Sequence, residues 1–442
     1  MSGFLDFTHD LRFDDLSPDV AAFAKRCVLD LSGVATGAVH TTLSRTIRDH
    51  AAAHFGAADR SAQILLDGRR VSPAGAALAG GMTIDALDAH DGNRITKGHA
   101  GCSVFPATLA LSQALDVDDG RELLTAIVIG YEIGTRAGIA LHETACDYHT
   151  SGAWGAVACA AIGARLLSLD VDATRHAIGI AEYHGPRSQM MRCIDHPTML
   201  KDGSGWGAMA GVSAAFLAAD GFTGAPAVTV EADNVNEIWA DLGHRWYIFE
   251  QYFKPHPVCR WAQPSVEAAL SLQIEHGFSG AEIEALSIAT FHEGVRLGAA
   301  HPRTTEEAQY GIGFPTAAAL IAGVLGPEQV IGAALTDPAV LRLCDRTELV
   351  EVPAYNDAFP HRRFAHVTIT LNDGRSFTSA RTEPRGDPEA HLSEEEIGEK
   401  FDAYAGPVLG SARADTVRSA VDGLDSPDSV RHLVASLMSP VT

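Results

Sequence analysis

RELLTAIVIGYEIGTRAGIALH (Arg121–His142) and SGAWGAVACAAIGARLLSL (Ser151–Leu169) decide the fold. In both, apolar residues recur at three- and four-residue spacing, and the same period runs from Ser17 to about Leu217, which predicts a succession of helices. Their abundant Ala and Gly let helix backbones approach closely, so several of these helices should be buried on most faces. The pattern changes after the proline-punctuated stretch Phe253–Pro264. Beyond it, Val266–His276 reads as a helix, Ala285–Phe291 as a strand and Phe314–Val324 as a helix; His366–Leu371 reads as a strand turning at Asn372-Asp373-Gly374 into Ser376–Arg381. PRGDPEAHLSEEEIGEKF (Pro384–Phe401) then offers a linker and a capped helix start, Ser393 with Glu396 three residues on. The expectation is a mainly α protein in which residues 1–262 and 393–442 form a large helical domain and residues 263–392 an inserted, smaller α+β domain.

A chain of 442 residues, 46% of them hydrophobic, can bury a large core. Its 33 Lys+Arg against 56 Asp+Glu give a formal charge of −23, which repels nucleic acid and anionic membrane. The longest uncharged stretch, Ala308–Pro327, carries Gln, Thr, prolines and glycines and suits a packed segment better than a bilayer span. The opening MSGFLDFTHDLRFDDL has acids where a signal peptide has its basic and apolar regions. Seven scattered cysteines, an odd number, argue for a reducing compartment. Together these predict a soluble cytoplasmic protein with no nucleic-acid or membrane partner.

Only five lysines occur, and three of them, Lys97, Lys201 and Lys254, fall in Gly- and His-rich motifs where an anionic substrate needs positive charge. The first motif runs from Asp85 through Asp88, His90 and Asp91 to Lys97, His99 and Gly101. Neighbouring acids, imidazoles and an ammonium tune one another's proton affinity, as acid–base work requires, although a solvated loop with helix caps has the same composition. The second, Tyr148-His149-Thr150-Ser151-Gly152, precedes an apolar helix whose positive end favours a bound carboxylate. The third carries Arg192 and then Lys201-Asp202-Gly203-Ser204-Gly205-Trp206-Gly207. No strand precedes that glycine string and no acidic ribose partner follows, so a nucleotide site is disfavoured and Lys201 reads as a base or a carboxylate-binding cation. The fourth, Lys254-Pro255-His256-Pro257-Val258-Cys259-Arg260, holds two cations that can clamp carboxylates. Cys102 and Cys259 lack an evident Cys–His–acid arrangement and read as small buried hydrophobes. No H-E-x-x-H or paired C-x-x-C is present, so no metal ligand set is expected, although Asp and His are good ligands.

In this order the four motifs resemble the MmgE/PrpD family, which includes 2-methylcitrate dehydratase, cis-aconitate decarboxylase and iminodisuccinate epimerase. Leu87-Asp88-Ala89-His90-Asp91 with His99-Ala100-Gly101 is similar to the family's L-D-x-D-D and H-P-G segments, and Lys254 to Arg260 to its K-P-Y-P-x-C-R segment. His149 and Lys201 match its histidine and lysine, each ahead of a Gly/Ala-rich helix. The resemblance implies a helical domain with an inserted α+β domain, a homodimer, an active site between the domains, and proton abstraction beside a carboxylate without an iron–sulfur cluster. Three departures stand out. His90 replaces an acid, and Phe314 stands where decarboxylase and dehydratase members carry a tyrosine, while Tyr148 adds a ring beside His149. Gly185–Arg192 is closer to the iminodisuccinate epimerase branch.

The function expected on these grounds is a cofactor-independent epimerase or isomerase of an amino- or imino-dicarboxylate. Lys201 would be its base opposite Tyr148 or His149, with Asp88, Asp91 and His99 orienting or donating, and Arg192, Lys254, Arg260 and Lys97 would bind carboxylates beside Phe314. The alternatives are a dehydratase of a 2-methylcitrate-like acid, a metal-dependent hydrolase built on Asp88, His90, Asp91 and His99, and a non-catalytic carboxylate-binding protein.

Overall fold

The computed structural model describes residues 2–299 and 301–441. Its large domain is helical: α1 (Pro18–Ala38), α2 (Pro73–Asp85), α3 (Gly101–Ala114), α4 (Gly120–Thr144), α5 (Gly152–Leu166), α6 (Val171–His184) and α7 (Ser204–Ala219). Each start has a local cause. Ser17 and Ser72 cap α1 and α2 by accepting from the N–H groups of Val20 and Gly75, each with proline at the first helical position. Asp119 and Asp170 cap α4 and α6 in the same way.

The glycines explain the tight centre. α7 packs against α2 and α5, and a Cβ on Gly205 would stand 2.5 Å from the Leu78 carbonyl oxygen, a distance only glycine permits. The backbones of α2 and α7 therefore touch at Gly81 and Gly205. α4 is long and apolar enough to cross a membrane, yet that whole apolar window is buried within the protein.

The smaller α+β unit begins with α8 (Gln263–His276) and contains a sheet of β1 (Ile283–Thr290), β2 (Thr347–Glu351), β3 (Ala365–Leu371) and β4 (Ser376–Thr378), in the order β2-β1-β3-β4. β1 runs parallel to β2 and antiparallel to β3, and the β3–β4 hairpin turns where Asn-Asp-Gly predicts it. α8 packs on β3 and on α10 (Gly313–Ala322), which follows the short helix α9 (Thr305–Gln309), and α11 (Pro338–Cys344) packs on α10 and β1. Edge strand β2 escapes the sequence reading because its exposed Glu348 and Glu351 give no apolar alternation.

After the sheet, Ser393 and Glu396 form the expected capping box at the start of α12 (Glu394–Leu409). α12 returns to the large domain and lies along α1. There the buried Lys400 ammonium reaches Asp30 at 2.5 Å and the Ala89 carbonyl at 2.7 Å, so the last third of the chain holds the loop that leaves α2. α13 (Ser411–Asp422) and α14 (Val430–Met438) complete this end.

Candidate active site

The loop between α2 and α3 gathers the first motif into the interior. Asp88 forms a buried ion pair with Lys254, and its backbone N–H donates to Gln309 Oε1 at 2.9 Å. Burial alone would raise the Asp88 carboxyl, but Lys254 and Lys201 outweigh it and hold the group well below the usual carboxylate range. A two-residue ladder pairing Gly92 with Tyr252 and Asn93 with Gln251 ties the loop to the fourth motif.

His99 Nδ1 contacts the Asp91 carbonyl, which can only accept, so Nδ1 carries the proton and Nε2 is the open nitrogen of the neutral ring. Burial, then the neighbouring His90 and Lys254, pull His99 down to about 4, so the ring is neutral at physiological pH. Its Nε2 stands 3.5 Å from Asp202 Oδ2, which accepts from the Ser151 hydroxyl at 2.8 Å. Burial pushes Asp202 up to about 6, aided by the Asp85 and Asp88 carboxylates. His99 and Asp202 thus form a buried pair able to share one proton.

Lys201 sits in the turn before α7 at φ 50°, a left-handed conformation rare outside glycine. Its ammonium is buried, donates to Gln309 Oε1 at 2.6 Å and lies 4.6 Å from the centre of the Tyr310 ring. Gln309, at the end of α9, also donates to the Ala86 carbonyl at 3.0 Å, so a small-domain amide clamps both the loop and Lys201.

These groups surround a cleft between the two units. From the large domain it is walled by Asp88, Lys97, His99, Tyr148, Asp202, Tyr252 and Arg260, and from the small one by Tyr310 and Arg363. Its free volume is about 30 Å³. Next to it, beyond the short helix Met191–Asp195, lies a hollow of about 340 Å³ lined by Arg192, His196, Lys201 and Trp206. A larger groove of about 900 Å³ between α13 and α14 brings together no comparable acid–base cluster.

Of the residues expected from sequence, Asp88, His99, Tyr148, Lys97 and Arg260 face the cleft, and Lys201 and Lys254 lie buried behind it. The remaining four stand elsewhere. The Asp91 carboxyl turns inward to accept from the Tyr131 hydroxyl of α4, and burial pushes it up to about 7. His149 stacks on His142 and binds the Asp147 carbonyl at 2.8 Å, so its ring lies outside the cleft lining. Arg192 is exposed on the neighbouring hollow. Phe314 lies inside α10 in the small-domain core. Conversely, Asp202, Ser151, Gln309, Tyr252, Tyr310 and Arg363 join the site without having been picked out. Asp202 reads as the lysine's neutralising neighbour, and Tyr310 lies one helical turn before Phe314, so its position becomes evident only once α9 and α10 are built.

Ligand atoms of Asp88, His90 and His99 lie within 4.8 Å of one another, a spacing that suits a metal ion. Lys254 already neutralises Asp88, however, and a divalent ion would have to displace that ammonium.

The fold and cleft define an enzyme whose acid–base groups and cations line one cleft. Residues 3–240 match the MmgE/PrpD N-terminal domain and residues 256–426 the MmgE/PrpD C-terminal domain. The chain belongs to the MmgE/PrpD family. Similar proteins include the cis-aconitate decarboxylase-like protein oryM of Aspergillus oryzae, 25% identical over 96% of this chain and 94% of its own length. The cis-aconitate decarboxylase of Aspergillus terreus is 25% identical, covering 98% of this chain and 94% of its own. That of Homo sapiens is 23% identical, covering 99% and 94%.

Proposed function

We propose that the protein is a cofactor-independent lyase that forms a carbanion beside a carboxylate of a small di- or tricarboxylate. The observation that carries this reading is His99, neutral, with Nε2 open beside Asp202 and facing a cleft that also holds cations. In a dehydration, Nε2 takes the proton α to a carboxylate, the electron pair enters the enolate and then the new double bond, and the β-hydroxyl leaves as water with a proton from the cleft. In a decarboxylation, the carbon–carbon bond to the departing carboxylate supplies the electron pair, carbon dioxide leaves, and the His99–Asp202 pair protonates the carbanion. Both need cations where the enolate charge develops. The names of the relatives favour decarboxylation within this class.

Epimerisation of an amino- or imino-dicarboxylate passes through the same carbanion and is the second reading, favoured by Tyr148 in the cleft wall. It ranks second because the Tyr148 hydroxyl donates to the Lys97 carbonyl, and because Tyr310 supplies the cleft with a phenol although Phe314 lacks one.

The protein is further proposed to act as a cytoplasmic homodimer. Its seven unpaired cysteines suit a reducing compartment. Exposed Trp206 and Leu217 lie along α7, with exposed Leu200 just before it, an apolar face suited to a second copy. Light scattering across a concentration series tests the dimer.

The activity is tested by incubating the enzyme in heavy water with cis-aconitate, citrate and a series of dicarboxylates, followed by proton NMR. Loss of a carboxylate or growth of an alkene signal is expected, reduced about a hundredfold or more in His99→Asn. Deuterium in an inverted substrate without elimination would install the epimerase reading. Unchanged turnover in His99→Asn would remove His99 from the chemistry.

A further inference from the structure

We infer that Arg363 and Lys97 form an anion subsite for a second carboxylate, remote from the reacting carbon, so that the cleft selects polycarboxylates over monocarboxylates. This rests on the cleft being the catalytic site.

Arg363 enters from the small domain just before β3 and is 3% exposed, yet its Nε and Nη1 are buried without a hydrogen-bond partner. A buried guanidinium without an acceptor is costly, and its planar fork matches a carboxylate bidentately. Lys97 approaches from the large domain. Its ammonium lies 4.7 Å over the Tyr148 ring, and no carboxylate among the described residues forms an ion pair with it. Lys97 is held at φ 51°, a strained backbone of the kind retained at functional positions. Burial, then the nearby Arg363 charge, lowers its proton affinity, and Glu293 offsets this only in part.

The other cations of the region are already engaged. Lys254 pairs with Asp88, Arg260 reaches Asp387 at 2.5 Å, and Lys201 donates to Gln309. Arg363 and Lys97 therefore remain for the ligand. Because one comes from each unit, a polyanion bridging them would draw the small domain onto the large one and shut out water.

Isothermal titration calorimetry with tricarballylate, a polyanion without a reacting group, and butyrate as monocarboxylate tests the subsite. Wild-type protein should bind tricarballylate at least about tenfold more tightly than butyrate, and Arg363→Met and Lys97→Met should each weaken tricarballylate about tenfold or more while changing butyrate less than about twofold. Arg175→Met, on the opposite sort of site at a surface ion pair with Glu231, should change neither. If Arg363→Met fails to fold by circular dichroism, Arg363→Lys, which keeps the charge but not the fork, should show an intermediate loss. Wild-type affinity for tricarballylate in the Arg363 and Lys97 variants, or a wild type that does not prefer it, would overturn the inference. A wild type that binds tricarballylate through Arg363 but turns over nothing in the NMR series would instead sink the lyase reading and leave the subsite standing.

Discussion

Asp202→Asn should make the protein more stable and nearly inactive at once. Burial raises the Asp202 carboxyl from an ordinary 3.8 to about 6. The folded state therefore binds its proton more tightly than the unfolded chain does, and the stability this provides is present below about pH 4 and lost as pH rises through about 6. At about 1.36 kcal/mol per unit, the ionised side chain burdens the fold by about 0.5 kcal/mol at pH 4 and about 3 kcal/mol at pH 8. Asparagine cannot ionise and, with its amide oxygen in the Oδ2 position, still accepts from Ser151, so it escapes the burden while keeping that hydrogen bond. With 442 residues each contributing about 2.1 cal/mol/K, the unfolding entropy is about 0.9 kcal/mol/K, so the variant's Tm should exceed wild type by about 3 °C at pH 8 and by under about 1 °C at pH 4. Differential scanning calorimetry of both proteins across that range reads the gap directly. A gap that fails to widen with pH, or a variant less stable at pH 8, would refute the reasoning. Turnover should fall about a hundredfold, because the shared proton is gone.

Lys254→Met should cost about 3–5 kcal/mol, since it strands Asp88 as a buried unpaired charge, and the double variant with Asp88→Asn should recover part of this in urea melts. Recovery of nothing would mean that the pair is not what the lysine supports. Tyr310→Phe should lower turnover about tenfold or more, whereas Phe314→Tyr should leave turnover near normal and destabilise by about 1–3 kcal/mol through an unpartnered core hydroxyl; steady-state kinetics and melts that reversed these effects would put residue 314 in the site. Exhaustive chelation should leave activity intact, and stoichiometric metal lost together with activity would restore Asp88, His90 and His99 as ligands.

The helices and the inserted sheet could be read from the chain because period, caps and turn residues are local: Ser393 with Glu396 and Asn372-Asp373-Gly374 specify their geometry without help from distant residues. The cleft was only half legible. Lys97, His99 and Arg260 stand out as charged residues in glycine- and proline-rich segments. Gln309, Tyr310 and Arg363 are ordinary in sequence and gain their roles by folding across more than a hundred residues onto Lys201 and the α2–α3 loop. His149 misleads for the same reason, since only the fold shows that its ring turns to His142 while neighbouring Tyr148 faces the cleft.

Lys400 lies 311 positions after the Ala89 carbonyl it holds and 370 after its partner Asp30. During synthesis the α2–α3 loop leaves the ribosome long before this prop exists, and domains generally fold as their chain emerges. The early helices can pack on one another in that interval, but the loop bearing Asp88 and His90 waits over Asp30 with a buried carboxylate and no cation. Assembly of the cleft is thereby postponed until α12 has been made, and a translation product stopped before residue 400 would carry Asp88, Lys97 and His99 on an unsupported loop.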